Sequence, residues 1–181
     1  TLAVSGAGGT AAIAAAKMGL KTLAVSGVGD DLMGDWVMQR LQHFGVDTSV
    51  VQRKPGWKTS SSIVTTRADG SRPALHMKGA TGDFYVEDAM IPQVTDATVF
   101  HAGGVGLMDA MDKGRTAVVM QAAKAAVGSE CRIALADGDR SWLWLTRLAA
   151  SSCRPGLCPI TITTPSPPAM AAFHTVLAVA I

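Results

Sequence analysis

Apolar runs alternate with helical patterns in the first part of the chain. Residues 1–5 and 22–26 are short apolar runs and predict strands. The second run is continuous, as in strands that are buried on both faces of a sheet. Between them, residues 6–9 predict a flexible turn and the Ala-rich residues 10–18 predict a helix. Gly19 stands where a glycine often ends a helix.

A second helix is predicted to begin near Asp31, whose acidic side chain suits the free amides of a helix N-terminus. Gly45 ends this helix. Its apolar positions recur at helical spacing and predict one buried face. They are Leu32, Trp36, Val37 and Leu41.

The pattern then changes to a hairpin. Residues 60–66 and 73–76 predict two strands, and the Asp69-Gly70 pair between them is a strong hairpin signal. Residues 97–101 predict a further strand, and residues 113–127 predict a helix. The predicted buried side of that helix comprises Val118, Val119, Ala122, Ala123 and Ala126. This order of elements indicates an α/β fold with a mostly parallel sheet.

Composition narrows the classes of function. With 181 residues, 48% apolar and 17% charged, the chain is typical of a globular domain. A net charge of +2 and the absence of a basic stripe argue against nucleic-acid and membrane partners. The late apolar run at 170–181 is too short to span a bilayer. Three cysteines without a signal peptide or a finger-like ligand spacing predict a cytoplasmic protein with no zinc site.

The glycines that precede the Ala-rich segment allow two interpretations. Residues 6–11, Gly-Ala-Gly-Gly-Thr-Ala, satisfy the dinucleotide pattern G-x-G-x-x-G/A, and Asp30 lies near the spacing of a ribose-binding acid. That acid should end the second strand, however, and here Ser26-Gly27 ends it while Asp30 follows a further Gly-Val-Gly turn. An NAD-binding domain therefore remains the weaker alternative.

The other interpretation comes from several short signatures that occur in order. They are Gly8-Gly9-Thr10 before the Ala-rich helix, the segment 22–35 with its Gly29-Asp30-Asp31 and Gly34, Phe44-Gly45-Val46-Asp47-Thr48, and His76-Met77-Lys78-Gly79-Ala80-Thr81. Over residues 1–127, and more weakly to residue 143, the chain resembles the ribokinase-like (PfkB) carbohydrate kinases.

The resemblance implies a three-layer fold with a mostly parallel sheet and a small β lid over a sugar. The lid would draw on residues 1–6 and the 60–76 hairpin, and its strands would also join a homodimer. The implied activity is transfer of a phosphoryl group from ATP, with Mg²⁺, to a hydroxyl of a sugar, a sugar-like molecule or a nucleoside. Gly8, Gly9 and Thr10 are the expected substrate-binding residues, while Asp30 and Asp31 are expected to be structural, as an acidic helix cap.

The chain also departs from the family pattern. It has no late Thr-x-Gly-Ala-Gly-Asp loop, so no catalytic residue is assigned, the residues that bind ATP and Mg²⁺ are expected to be absent, and no other metal site is predicted. The N-terminal strand with its sugar-binding Asp is missing, and the Asn of the first helix has no match, Ile13 being nearest. We therefore expect a fold incomplete at both ends and an inactive chain. A non-catalytic small-molecule binding domain of the same fold is the main alternative.

The sequence predicts two regions, a partial kinase-like domain at 1–146 and an irregular tail at 147–181. Pro-rich stretches in the tail have no usable periodicity. Residues 156–160, Gly-Leu-Cys-Pro-Ile, can encode Asp-Tyr-Val-Pro-Ser when read one nucleotide later, which approximates a strand end of the family. We therefore hypothesise a local reading-frame shift, which sequencing of the coding DNA tests.

Overall fold

A parallel sheet forms the centre of the protein. The computed structural model describes residues 1–97, 99–127, 132–136 and 174–179. In these residues the strand order is β3 (Val46–Asp47), β1 (Lys21–Val25), β9 (His174–Val179), β7 (Val99–Gly103) and β8 (Arg132–Ala136). All four neighbouring pairs are parallel, as the sequence predicted.

Helices cover both faces of this sheet. They are α1 (Gly6–Lys17), α2 (Leu32–His43), α3 (Ala80–Asp83), α4 (Ile91–Thr95) and α5 (Arg115–Val127), with short 3-10 helices at Asp88–Met90 and Met111–Lys113. Adjacent residues of β1 show the two faces, since successive strand side chains point in opposite directions. Ala24 packs in one apolar cluster with α1 and α2, and Val25 packs in another with α4 and α5. The three-layer α/β prediction is therefore confirmed.

Two small sheets accompany the central one. β2 (Gly27–Gly29) follows β1 directly and pairs in parallel with β4 (Gln52–Lys54). β5 (Ser61–Val64) and β6 (Ala74–Met77) form the predicted antiparallel hairpin, in which Ile63 lies opposite Leu75. We call β5, β6 and their connecting turn the lid hairpin, and the residues that flank it, 58–60 and 78–80, its base. Thr59, just before β5, accepts a hydrogen bond from the Gly29 amide at the end of β2, so the base of the hairpin lies beyond the carboxyl end of β1.

The start of the chain differs from the prediction. Residues 1–5 form no strand, and α1 begins at Gly6, so the predicted turn at 6–9 is the first turn of the helix. Residues 1–3 are exposed and pair with no strand among the described residues, so their extended propensity has no sheet to join. The expected contribution of residues 1–6 to the lid is therefore wrong.

Two predicted helix faces also need correction. Leu32 is 84% exposed because it is the first residue of α2, where the helix has not yet reached the sheet, whereas Val37 and Leu41 are buried as predicted. Val118 is 44% exposed, although its neighbour Val119 is buried. Consecutive helical residues lie about 100° apart, so the two valines face different environments. Ala126 is exposed as well.

The tail contributes one strand to the central sheet. β9 lies between β1 and β7, so the irregular structure predicted for residues 147–181 does not extend to these six residues. Their Thr-Val-Leu-Ala-Val run is β-branched and apolar, which favours a strand. The boundary at residue 146 and the frame-shift hypothesis concern residues outside the described ranges and stay predictions. No helix in the described ranges has the length and apolar content that crossing a bilayer requires.

Backbone contact between α2 and β2 predicts a selective sensitivity to alanine. A Cβ on Gly34 would lie 2.3 Å from the carbonyl oxygen of Gly29, whereas a Cβ on Gly82, also helical, would meet nothing closer than 3.4 Å. Gly34→Ala should therefore lower the free energy of unfolding by about 1–3 kcal/mol more than Gly82→Ala. Urea denaturation of both variants measures this difference. Equal stability of the two variants would refute the close contact.

Candidate functional site

The N-terminus of α1 meets the carboxyl end of β7 with almost no space between the backbones. A Cβ on Gly103 would lie 2.9 Å from the amide nitrogen of Gly8 and 3.3 Å from the Cβ of Ala7. Because Gly103 has no side chain, the start of α1 can lie directly against the edge of the sheet. In open parallel sheets the carboxyl edge is where ligands bind.

The predicted substrate-binding residues all lie at this helix start. Gly8 and Gly9 are buried within the first turns of α1, and Thr10 is exposed beside them. The preceding Ser5 makes no side-chain capping bond, and the first turn carries no acidic residue. The first amides of a helix have no partner within the helix itself and carry a partial positive charge. This end of α1 can therefore donate hydrogen bonds to polar groups of a ligand.

A hydrogen-bond network joins the lid hairpin to α2 and β2. The Asp31 carboxylate accepts from the Gly34 amide (2.9 Å), the Thr59 hydroxyl (2.6 Å) and the Thr59 amide (3.0 Å). The Thr59 oxygen in turn accepts from the Gly29 amide at 3.0 Å. Burial raises the pKa of Asp31, but the bonds from Thr59 and Gly34 outweigh it, so the pKa lies below its ordinary value. The structural role predicted for Asp31 is confirmed.

The two sides of the hairpin base are hydrogen-bonded to each other. The Ala80 amide donates to the Lys58 carbonyl oxygen (2.8 Å), and the Ser60 hydroxyl contacts the Lys78 carbonyl oxygen. Gly79 between these ends has a φ of +50°, and a Cβ there would lie 2.2 Å from the Lys58 carbonyl oxygen. Only glycine fits this position, so the two sides of the hairpin base are in direct backbone contact there.

A loop after β7 supports the same region. Lys78 Nζ pairs with Asp109 Oδ1 at 2.6 Å, and the Ala110 amide donates to the Gly82 carbonyl oxygen at 3.1 Å. Within the loop, Asp112 Oδ2 accepts from the amides of Gly106 and Met108, both at 3.0 Å. Desolvation raises the pKa of Asp112 and, with the charge of Asp109, outweighs the opposite effect of these amides.

Two histidines, His76 and His101, lie apart. His76 is on the exposed hairpin, where its Nδ1 lies 2.8 Å from the Ser62 hydroxyl across the strands. His101 is on β7, and its buried Nε2 has no hydrogen-bond partner among the described residues. Burial lowers the pKa of His101, so the neutral form is favoured.

The acidic residue of the dinucleotide pattern has a different role. Asp30 is 68% exposed and lies 3.8 Å from Arg53, a residue of β4, which also contacts Asp35. Moreover, the glycines belong to α1, and no strand precedes them among the described residues. Both observations argue against the NAD-binding alternative.

The described residues offer no acidic set for Mg²⁺. Within them, no group of three or more His, Cys, Asp or Glu side chains is placed to hold a metal ion. Mg²⁺ requires oxygen ligands, usually carboxylates together with phosphates of the nucleotide. No described residue is therefore assigned to Mg²⁺ or ATP, and no chemical step is derived through them.

Comparison with known proteins decides the family. Residues 1–156, most of the chain, match the pfkB family carbohydrate kinases. This chain belongs to that family. The sequence resemblance is thereby confirmed, and with it the family's carbohydrate-kinase character.

Individual relatives agree with this assignment. The chain is 32% identical over 108 residues to fructokinase-1 of Oryza sativa, covering 59% of this chain and 33% of the relative. It is 32% identical over 83 residues to a deoxyribokinase of Salmonella typhimurium, covering 46% and 27%. The chain thus spans about a third of the length of the curated relatives that it matches.

Solved structures show the same fold. The ribokinase of Arabidopsis thaliana complexed with ribose and ATP matches with a TM-score of 0.60 and 21% identity, covering 74% of this chain and 42% of that one. A fructokinase from Xylella fastidiosa matches with a TM-score of 0.58 and 25% identity, covering 77% and 43%. Both comparisons support a ribokinase-like fold, in agreement with the parallel sheet described above.

Sequence reasoning missed Thr59 and the Lys78–Asp109 pair. The partners in these contacts lie 28 and 31 residues apart in the chain. No local pattern marks a threonine that follows Trp57-Lys58 as a partner of a helix cap. The Asp-Gly signal predicts the turn of the hairpin but does not indicate which residues attach the hairpin to the rest of the fold.

The lowered pKa of Asp31 predicts an acid-sensitive contribution to stability. Because its folded pKa lies below the ordinary 3.8, the carboxylate stabilises the fold above that pH, and the effect is lost as pH falls through the folded pKa. Asp31→Asn, which can still cap α2, should reduce the free energy of unfolding by about 1 kcal/mol at pH 7. Denaturation between pH 7 and pH 3 should show this gap narrowing below about pH 4. A gap that is independent of pH would contradict the prediction.

Proposed function

We propose that this chain is part of a carbohydrate kinase and that the N-terminus of α1 binds the hydroxyl groups of its sugar. The observation that carries the proposal is the joint between Gly8 and Gly103, which lies at the carboxyl edge of the sheet. The base of the lid hairpin contacts the end of β2 through Thr59 and the loop after β7 through Lys78, at the same edge. Family membership supplies the class of substrate.

The chemistry of the joint suits a sugar better than a charged ligand. Gly8 and Gly9 carry no side chain, so the backbone can approach a ring closely, and α1 amides can donate to hydroxyl oxygens. Thr10 supplies a hydroxyl that can donate or accept. No positively charged side chain lies in the first turn of α1. Fructose, ribose and deoxyribose, the sugars named by the relatives, are the candidate substrates.

The proposed reaction of the whole protein is phosphoryl transfer from ATP to a sugar hydroxyl. Such transfer depends on positioning and on cations that stabilise the transferred group. The described residues supply the positioning elements on the sugar side, and none is assigned to ATP, Mg²⁺ or a catalytic base. We therefore expect this chain alone to bind sugar without turnover. A cytoplasmic location, where ATP is available, is part of the proposal.

A non-catalytic binding domain of the same fold is the alternative function. It is favoured by the lack of a metal-binding cluster in the part of the chain that the structure describes. Sugar binding without turnover is expected both of a kinase fragment and of such a domain. A longer coding sequence that includes a late Gly-rich loop, and whose product converts ATP and the sugar to ADP and a sugar phosphate, distinguishes the kinase.

Substitution at the start of α1 tests the sugar site. Gly9→Val places a branched side chain in the buried first turn and should weaken sugar binding at least about ten-fold, since about 1.4 kcal/mol of lost binding energy has that effect. Thr10→Val keeps the shape and removes the hydroxyl, so a smaller loss is expected. Titration calorimetry with fructose, ribose and deoxyribose measures both, with NAD as a comparison ligand.

Gln39→Ala is the matched control, because Gln39 is exposed on α2, away from the start of α1. It should leave sugar affinity unchanged, and an ADP-release assay should show no turnover for any of these proteins. Unaltered affinity in Gly9→Val, with the fold intact by circular dichroism, would refute the site. Binding of NAD in place of sugar would restore the dinucleotide interpretation.

We also propose that two copies of the chain associate through their lid hairpins. Ile63 is 65% exposed and lies opposite Leu75, which is 75% exposed, so both side chains share one face of the hairpin. Met77, 46% exposed, lies on the same face. A two-stranded hairpin with an uncovered apolar face is barely stable alone. A second copy with the same face would bury these side chains.

Charge on this face should separate the copies. The double variant Ile63→Lys/Leu75→Lys places like charges on both partners, so it should sediment as a monomer where the parent chain sediments as a dimer. The single variant Leu32→Lys, at an equally exposed apolar residue on α2, serves as the control and should remain dimeric. Sedimentation velocity at several concentrations measures this, and a monomeric parent chain would refute the proposal.

A further inference from the structure

The lid hairpin is attached to the rest of the protein at two ends that differ in kind. The incoming end is Thr59, which is 2% exposed. Its amide and hydroxyl both donate to Asp31, and its oxygen accepts from the Gly29 amide. Three hydrogen bonds thus fix one residue, and two of them end on a carboxylate, which makes them stronger than neutral ones.

The outgoing end is held by an exposed ion pair and by the packing of the next residues, Ala80 and Thr81, which are 0% and 4% exposed. The side chains of Lys78 and Asp109 are 43% and 62% exposed. Exposed pairs of this kind contribute little and are screened by salt. The neighbouring Ala80 amide bonds to Lys58 within the hairpin base, and a Cβ on Gly27 of β2 would lie 3.2 Å from the Ala80 carbonyl oxygen, so this end also packs on β2 through backbone contact.

Asp31 also links the anchor to the central fold. The same carboxylate oxygen that accepts from Thr59 caps α2 through the Gly34 amide. Gly34 in turn lies against the Gly29 carbonyl oxygen, so α2, β2 and Thr59 are in mutual contact. One side chain, that of Asp31, therefore holds both the start of α2 and Thr59.

We propose that Thr59, held by Asp31, is the fixed pivot of the lid hairpin, and that both are positioning residues for the sugar beneath it. Neither touches the sugar in this proposal; each acts by setting where the hairpin stands. The pivot is independent of the sugar, whereas the positioning role rests on the proposed function.

Thr59→Val tests the pivot, because it keeps the shape of the side chain and removes the hydroxyl. Amides of β5 and β6 should exchange hydrogen about ten-fold faster than in the parent chain, since local opening governs their exchange. Trypsin should cleave faster after Arg67, which lies in the exposed turn of the hairpin. Exchange in α5 serves as the internal reference for an unchanged fold.

Two comparison variants separate the pivot from general damage. Thr59→Ser retains the hydroxyl and should restore slow exchange in the hairpin. Lys78→Met removes the exposed ion pair and should change exchange less than about two-fold. If Thr59→Val fails to fold, Asp31→Ser replaces it, because serine still caps α2 but is too short to bond Thr59. Parent-like exchange and cleavage in the folded pivot variant would overturn the proposal.

Sugar titration of the same proteins tests the positioning role. Thr59→Val should weaken sugar binding about ten-fold, and Thr59→Ser should restore it. If the parent chain binds no sugar while Thr59→Val loosens the hairpin, the proposed function fails and the pivot stands. A loosened hairpin with unchanged sugar affinity would overturn the positioning role.

Discussion

The arrangement of α2, β2 and the lid hairpin depends on the hydrogen bonds of the Asp31 carboxylate. This carboxylate caps α2, holds Thr59 by two bonds and, through Thr59, engages the end of β2. A carboxylate is suited to this because its two oxygens accept from several donors at once. A neutral side chain of the same size would have to leave one of these donors without a partner. The helix, the small parallel sheet and the hairpin are thus fixed relative to one another by one charged group.

A second constraint is the use of glycine where backbones meet. Gly103 admits α1 to the carboxyl edge of the sheet, and Gly29 and Gly34 let β2, α2 and the start of the hairpin touch. These contacts bring a helix N-terminus and the lid hairpin to the same edge. The candidate sugar site results from the meeting of these elements, with few side chains of its own. This explains why a family resemblance was stronger evidence for it than any catalytic pattern.

Much of the fold could be predicted from local pattern. The strand at β1, the cap at Asp31 and the Asp-Gly hairpin are each encoded by neighbouring residues, and the structure confirms them. The strand predicted for residues 1–5 was wrong because a partly β-branched run becomes a strand only when a neighbouring strand is available to pair with it. The exposure of Leu32 depends on where α2 begins, and that of Val118 on which side of α5 faces the core. Periodicity alone does not contain that information.

The joint between Gly8 and Gly103 has an evolutionary consequence. Where main chain lies directly on main chain, a larger residue at Gly103 would collide with α1, so mutation has almost no freedom to remodel that side of the proposed sugar site. A lineage that inherits this joint must adjust its choice of ligand elsewhere, at Thr10 or along the hairpin strands. The invariable side and the adjustable cover would then diverge at very different rates.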